Sequence, residues 1–548
     1  MVTEPEYDVP TATAGIFADL LADERLRLPK AVVDAANVEF EGAALPYLCV
    51  PFKFTEAISA IKGLEAAFAS AIAASRFGTT PSQAIINTDH AALFVFSAFS
   101  TTINGMVALD PRLKGKFDDW DKADSHKYRY RGLATNIYRT RDGRFFHLHG
   151  SLNARASMTM VGLDWDDPAR LQLTDREDIV PLYQAEVEKW DAKEIDRVAN
   201  DEYKQAGSIC YTYDEFKELP AGKAIIDVPV YELDKAADGP VVPWPEATEN
   251  KPLSGIKVLE LTRIIASPAI GKGLAEHGAT VLRIVSSTLP DMHVLHPDLN
   301  QGKYVADLDL KSEAGKAKLR ELIKDADVII DGYRPGAVER LGFGRDAVRK
   351  INPSIIYVRE SCYGFHGPWS HRSGWQQIAD CLVGLSHAFG EKLGLPDGES
   401  VVPIFPNSDY GAGASALLGT LNALYRRATE GGVWNVDAAL AYYDVWLMRL
   451  GFYPDAVWDK IRPASKLRHN WEMTTLLPAI IPELHARRPD VFSNPKFWHE
   501  LPAPSYGEGA VVRTVRPVVK LEGVTIGVGR GPGQRWPVAA TNESMCPS

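Results

Sequence analysis

The chain has 548 residues, 45% hydrophobic and 24% charged, with 43 glycines and 36 prolines; this length exceeds one ordinary core, predicts two large units, and with that composition excludes a disordered or fibrous protein. The formal net charge of −11 comes with basic residues dispersed among acids instead of gathered in a stripe, which argues against nucleic acid as a partner. Cys49, Cys210, Cys362, Cys381 and Cys546 are widely spaced and form no CxxC pair, as in a reducing compartment without a disulfide framework.

In chain order, the opening MVTEPEYDVPTATAG lacks a basic region followed by an apolar core, no run of about 18 apolar residues is read anywhere, and the closing MCPS matches no retention or peroxisomal signal. A cytoplasmic chain with no membrane partner is the expectation. IFADLLADERLRL has apolar positions at helical spacing and reads as packing. The Ala-rich EAISAIKGLEAAFASAIAASRFG predicts a long helix that breaks at Thr-Thr-Pro and leads into the strand-like AIINTDHAALFVF. The same order returns in ALLGTLNALYRRATEGGVWNVDAALAYYDVW, where Asn435, Asp437 and Leu440 answer Asn87, Asp89 and Leu93, an imperfect internal repeat. Between the copies, YRTRDGRFFHLHG predicts a hairpin turning at Asp142-Gly143, and charged helical segments follow. The Pro-rich DGPVVPWPEATENKP then marks a boundary between units 1–245 and 252–548.

Past that boundary GIKVLELT, ASPAIGKGLAEHG and ATVLRIV predict strand, helix and strand; DVIIDGY and PSIIYVRES predict further strands separated by helices. Such alternation makes a parallel sheet with helices on its faces, and ligands of such sheets sit at the carboxyl ends of the strands. There TRIIASP sets Arg263 beside a helix start, and DGYRPGAVERLG offers Tyr333, Arg334 and Arg340, an aromatic face and guanidinium groups suited to an adenine and its phosphates. His147 and His149 alternate on a strand and face one side, but no third ligand accompanies them, and no metal is expected. GVGRGPGQR, Gly527 to Arg535, has no helix after it and reads as a turn, not a phosphate loop.

Five blocks in order, PLSGIKVLELTRIIASPAIGKGLAEHGATVLRI, LNQGKYVADLDLKSEAGKAKL, DVIIDGYRPGAVERLGFG, HRSGWQQIADCLVGLSHAFG and SDYGAGASALLGTLNALYRR, resemble signatures of the class III CoA-transferase (CaiB/BaiF) family from Pro252 to Leu440. The resemblance implies an α/β fold, a Rossmann-like parallel-sheet domain with a second, smaller α+β domain. The smaller domain here resembles residues 125–245 and precedes the Rossmann-like half, so 1–245 looks like a degenerate, rearranged family copy. Also implied are coenzyme A as the carried group, an acyl-CoA and a carboxylic acid as partners, and an interlocked homodimer. Asp409 matches the family's catalytic aspartate, opening D-x-x-x-G-x-x-A-x-x-G-x-L, and the CoA contacts carry over to Arg263, Ile264, Tyr333, Ala337, Arg340 and Leu341. Where relatives read KVE and a basic residue, this chain has Arg283 to Ser286, so one phosphate or ribose contact is expected to be lost or moved.

The chemistry is consistent with that role. A carboxylate attacking a thioester makes a mixed anhydride, CoA thiolate converts it to an enzyme thioester, and an acceptor acid reverses the sequence. Gly411, Ala412, Gly413 and Ala414 are expected to let the thioester approach and to offer N–H groups to an oxyanion. The plain alternative for Asp409 is a helix N-cap. Racemases of the family set a histidine and an aspartate where this chain has Trp375 and Gln376, neither able to exchange a proton, so transfer is expected over 2-methylacyl-CoA racemisation. Gln376 keeps a hydrogen-bonding shape, and Asp380, one turn on, either restores a carboxylate beside it or is a solvated helix residue. A third alternative is a CoA-binding protein whose chemistry has decayed.

Overall fold

The computed structural model describes residues 7–535 except 108–109, 114, 118–120 and 533; Cys546, the MCPS end and the first six residues lie outside the described residues. Eight strands form the frame that positions everything else. Before the Pro-rich segment, β1 (Asn136–Arg139), β2 (Phe145–Leu148) and β3 (Gly207–Ile209) pair antiparallel, β1 and β2 making the hairpin predicted around Asp142-Gly143. The frame takes β4 (Glu232–Ala237), β5 (Lys257–Leu261), β6 (Thr280–Val285), β7 (Lys303–Asp307), β8 (Val328–Asp331), β9 (Ile356–Ser361), β10 (Val433–Ala439) and β11 (Gln534–Arg535) in the order β11-β7-β6-β5-β8-β9-β10-β4. Every pairing is parallel except β10 with β4. The central strands read as Val, Ile and Leu runs because helices cover both faces, leaving no wet side on which a polar residue would alternate.

Five helices matter for the site: α1 (Phe54–Phe77), α2 (Ala266–Glu276), α3 (Gln376–Val383), α4 (Asn407–Thr429) and α5 (Leu440–Arg449). The core of the molecule is α4, packed against α1, α2, α5 and β10. Its small residues permit that crowding. A Cβ on Gly413 would lie 2.5 Å from the Ala266 carbonyl oxygen, and one on Gly411 would overlap the Tyr443 ring. Gly411 and Gly413 therefore serve close helix packing, and the expected opening for a thioester at these residues is not what their environment provides.

The 24-residue α1 is long and apolar enough, by length and composition, to cross a membrane, so the sequence reading that no such run exists is corrected. Helix α1 lies inside the protein, and the charges at its middle are paired: Lys62 Nζ is 2.7 Å from Glu65, which also meets His277 at 3.0 Å. The predicted repeat is present as helix, strand and helix: α1, Ala84–Asn87 and Thr88–Phe94 answer α4, β10 and α5. The shared Asn-x-Asp does not fall in equivalent places, however. Asn87 caps a helix by accepting from the His90 N–H, whereas Asn435 sits within β10.

The Pro-rich segment joins β4 to β5, two strands of one sheet, so it is a covalent junction and not a break in packing. One buried cluster runs from Ile16 to Leu521, and β11 returns from the chain's end to the sheet edge.

Candidate active site

A cleft of about 310 Å³ opens at the carboxyl ends of β5, β8 and β9, where such a sheet is expected to bind ligands. The loop after β5 contributes Arg263 and Ile264, the loop after β8 contributes Tyr333 and Arg334, and the first turn of α4 contributes Asp409. A second wall comes from the first half of the chain, through Ser151 to Asn153, Ala156 and Gln205. Sequence reasoning missed that wall because nothing local in those residues announces a partner more than 50 positions away.

Asp409 is not a cap. The cap position is Pro406, no side chain caps the helix, and Asp409 faces the cleft, partly exposed, from the first turn. Burial, followed by the negative charges of Glu360 and Asp380, pushes its carboxyl well above the usual range.

Gln376 and Asp380 stand behind this wall instead of on it. Both are buried, Gln376 at 3% and Asp380 at 0% exposure, which overturns the reading of Asp380 as a solvated helix residue. The Gln376 amide donates to Asp380 Oδ2. The Ser408 hydroxyl lies 2.7 Å from Asp380 Oδ1 and 2.5 Å from Asp444 Oδ1. A hydroxyl carries one proton and can donate to only one of them, so the other carboxyl must supply its own acid proton. The pair therefore stays at least singly protonated; burial pushes Asp380 up to about 7 and Asp444 well above its usual range.

Trp375 does line the cleft. Its indole N–H donates to Ser151 Oγ at 3.0 Å, and its ring stacks on His149 with centroids 5.1 Å apart and planes 5° from parallel. His147 stacks on His149 in turn at 5.6 Å, and burial holds His147 down to about 3. This neutral column supports the tryptophan. Among the described residues, the group near enough to share a cation is Asp291, His293 and His296. Asp291 is already 2.8 Å from Arg283 and 3.1 Å from His296, so its charge is committed.

Arg263 lies over the Tyr333 ring at 4.9 Å and donates to the Pro290 carbonyl at 2.9 Å. Ile264 has φ of +70°, an unfavourable region for a β-branched residue, and its N–H points to Asp291 Oδ1 at 3.4 Å. Arg283 holds Asp291: fully buried, it also donates to Asn300 at 2.7 Å and to the Thr262 carbonyl at 3.3 Å. Where a ligand contact was expected to be lost or moved, Arg283 is turned inward as a strut for the loop that carries Ile264.

Arg334 reaches the cleft and touches the Lys204 carbonyl at 3.4 Å. Ala337, Arg340 and Leu341 sit on or just after the short helix Ala337–Arg340 and do not line the cleft. An adjoining cavity of about 350 Å³ reaches as far as Gly336 and shares Tyr333, Pro335, Glu360 and Ser361 with it.

Glu360 was missed, although an acid closing the apolar run IIYVRES at a strand's carboxyl end is a legible signal. Its Oε2 accepts from Ser267 Oγ at 2.7 Å, and burial, with Asp331 nearby, pushes it up to about 7. The start of α2, uncapped by any side chain, also opens onto the cleft through Ile265 and Ala266 and directs its partial positive charge there.

Residues 253–474 match the model of CoA-transferase family III. The chain is 37% identical over 550 positions to an acetyl-coenzyme A transferase of Hypoxylon pulicicidum, covering 95% of this chain and 91% of that one. It is 34% identical over 460 positions to an acyl-CoA transferase of Gibberella moniliformis, covering 80% of each. A solved CaiB/BaiF family protein from Brucella suis matches 36% of this chain and 56% of its own, at 27% identity and a TM-score of 0.34.

Proposed function

Because this chain belongs to CoA-transferase family III, we propose that it moves CoA from an acyl-CoA to a carboxylic acid through transient acylation of Asp409. The observation that carries the reading is a carboxylate on the cleft wall, free of any capping duty, at the position the family block assigns to chemistry. The Asp409 oxygen attacks the thioester carbonyl and forms a mixed anhydride; the released sulfur attacks the aspartyl carbonyl and forms an enzyme thioester. An acceptor carboxylate runs the two exchanges backwards. Asp suits this work because its anhydride stays as activated as the thioester, while the uncapped start of α2 supports the negative charge that develops on oxygen and sulfur.

Arg263, Tyr333 and Arg334 offer the stacking face and the cations for the nucleotide end of CoA. Racemisation is the weaker reading, since the indole of Trp375 is not a base and Gln376 lies behind the wall. The proposal includes a cytoplasmic homodimer, to be checked by light scattering and fractionation. A fully active monomer would remove the dimer without touching the chemistry.

The test is exchange of a labelled carboxylic acid into an acyl-CoA. Asp409→Ala is expected to slow it by at least about 10³-fold while calorimetric CoA binding persists; wild-type exchange by that variant would end the reading.

A further inference from the structure

Two carboxyl groups face the cleft from different elements, and the proposed reaction so far uses one of them. Glu360 closes β9, Asp409 opens α4, and both line the same cavity. Glu360 also borders the adjoining cavity, so it stands where the two spaces meet. Ser267 Oγ holds its Oε2 at 2.7 Å, and among the described residues no donor engages Oε1. That geometry is built. Ser267 is buried in the first turn of α2, and a Cβ on Gly332 would overlap its hydroxyl, so glycine there leaves the serine its place.

We propose that Glu360 carries the proton of the CoA sulfur through both exchanges at Asp409. The inference rests on the acylated-Asp409 reading. As the Asp409 oxygen adds to the thioester and the C–S bond breaks, sulfur leaves with the bonding electron pair and takes the proton of the Glu360 carboxylic acid. Mixed anhydride, CoA thiol and Glu360 carboxylate result. In the second exchange the thiol returns that proton to Glu360 while sulfur attacks the aspartyl carbonyl, and the first acid departs as carboxylate with the C–O electron pair. Glu360 ends protonated, as it began.

The charges around Glu360 favour one shared proton. Asp331 approaches from β8, Asp409 from α4 with Asp380 behind it, and Cys362 follows directly after β9. Of the cations nearby, Arg359 is paired with Asp437 at 2.8 Å and Arg372 with Asp196 at 3.0 Å, while Arg263 and Arg334 line the cleft as the cations assigned to CoA. His371 lines the adjoining cavity and pairs loosely with Asp201 at 3.9 Å. With both carboxyls pushed up by burial, Glu360 to about 7, the reactive form the proposal requires is the one in which Glu360 holds the shared proton and Asp409 is ionised.

The experiment compares the wild type, E360Q, E360D, S267A and D409A in adduct formation, measured by intact mass after acyl-CoA or S-aryl thioester is added. E360Q is expected to bind CoA normally and to react about 10²-fold more slowly with acyl-CoA. Its rate should only rise with pH as Asp409 ionises, where the wild type and E360D rise and then fall. With the S-aryl thioester, whose thiolate leaves without a proton, E360Q should come within a few-fold of wild type. S267A removes a hydrogen bond that favours ionised Glu360, so its falling limb should move to higher pH. A wild-type rate and profile in E360Q, an undiminished defect on the aryl thioester, or an unmoved limb in S267A would each overturn the proposal. No adduct in D409A alongside adduct in E360Q leaves the Asp409 reading standing by itself; adduct in D409A overturns both.

Discussion

At the scale of single residues, the site concentrates carboxyl groups that ordinary surfaces keep apart. Asp380 and Asp444 share Ser408, the residue just before Asp409, so the protonation of that buried pair is felt at the start of α4. The folded state holds a proton on Asp380 up to about 7, whereas an unfolded aspartate loses it near pH ~4. Between those values the folded chain binds more protons than the unfolded one, so this group's contribution to stability falls as pH rises from ~4 to about 7 and then levels. Asp380→Asn is therefore expected to narrow the gap in urea midpoint between pH 5 and pH 7.5; an unchanged gap would count against a protonated pair. Arg283 makes the opposite case, a buried cation whose removal leaves Asp291 with His296 alone, while Glu260 keeps Lys303 at 2.7 Å. Arg283→Met should cost about 3–5 kcal/mol in denaturant unfolding, and the loop carrying Ile264 should lose protection in hydrogen exchange.

At the scale of elements, the alternating strands and helices after residue 252 were legible because buried parallel strands are short apolar runs and their helices are amphipathic or small-residued. What could not be read was the meaning of the small residues in α4. A Gly/Ala stripe suits the approach of a ligand and of another helix equally, and only the partner's position decides. Tyr443 and Ala266 fill that space. Gly411→Ala and Gly413→Ala are each expected to lower stability by about 1–3 kcal/mol through overpacking; urea unfolding that matches wild type would return these positions to the ligand. Asp409 was legible as an acid at a helix start, but its place inside the first turn, past the cap at Pro406, was not. Gln376 and Asp380 share α3 with no cleft exposure, and helical spacing alone does not tell which face of a short helix meets a wall.

At the scale of the whole molecule, the halves are interleaved. Strand β4 and helix α1 come from before the Pro-rich junction and complete the sheet edge beside β10 and the packing around α4. Composition and the change of pattern mark where the chain passes from one half to the other, but pairings across 200 residues leave no local trace in the sequence. A fragment of residues 252–548 should therefore bind a hydrophobic dye and unfold without a cooperative transition, having lost the β4 edge and the α1 face. A cooperatively folding, active fragment would show that the first half is dispensable.

Acylation of Asp409 during turnover underlies the transfer chemistry proposed above. Its most direct measurement is peptide mapping after the protein is mixed with an acyl-CoA and reduced with borohydride, which turns an aspartyl thioester into homoserine. Residue 409 should be converted in the wild-type chain, and that conversion should need the acyl-CoA. Continuing transfer of CoA between acids with residue 409 unmodified would rule out an acylated Asp409.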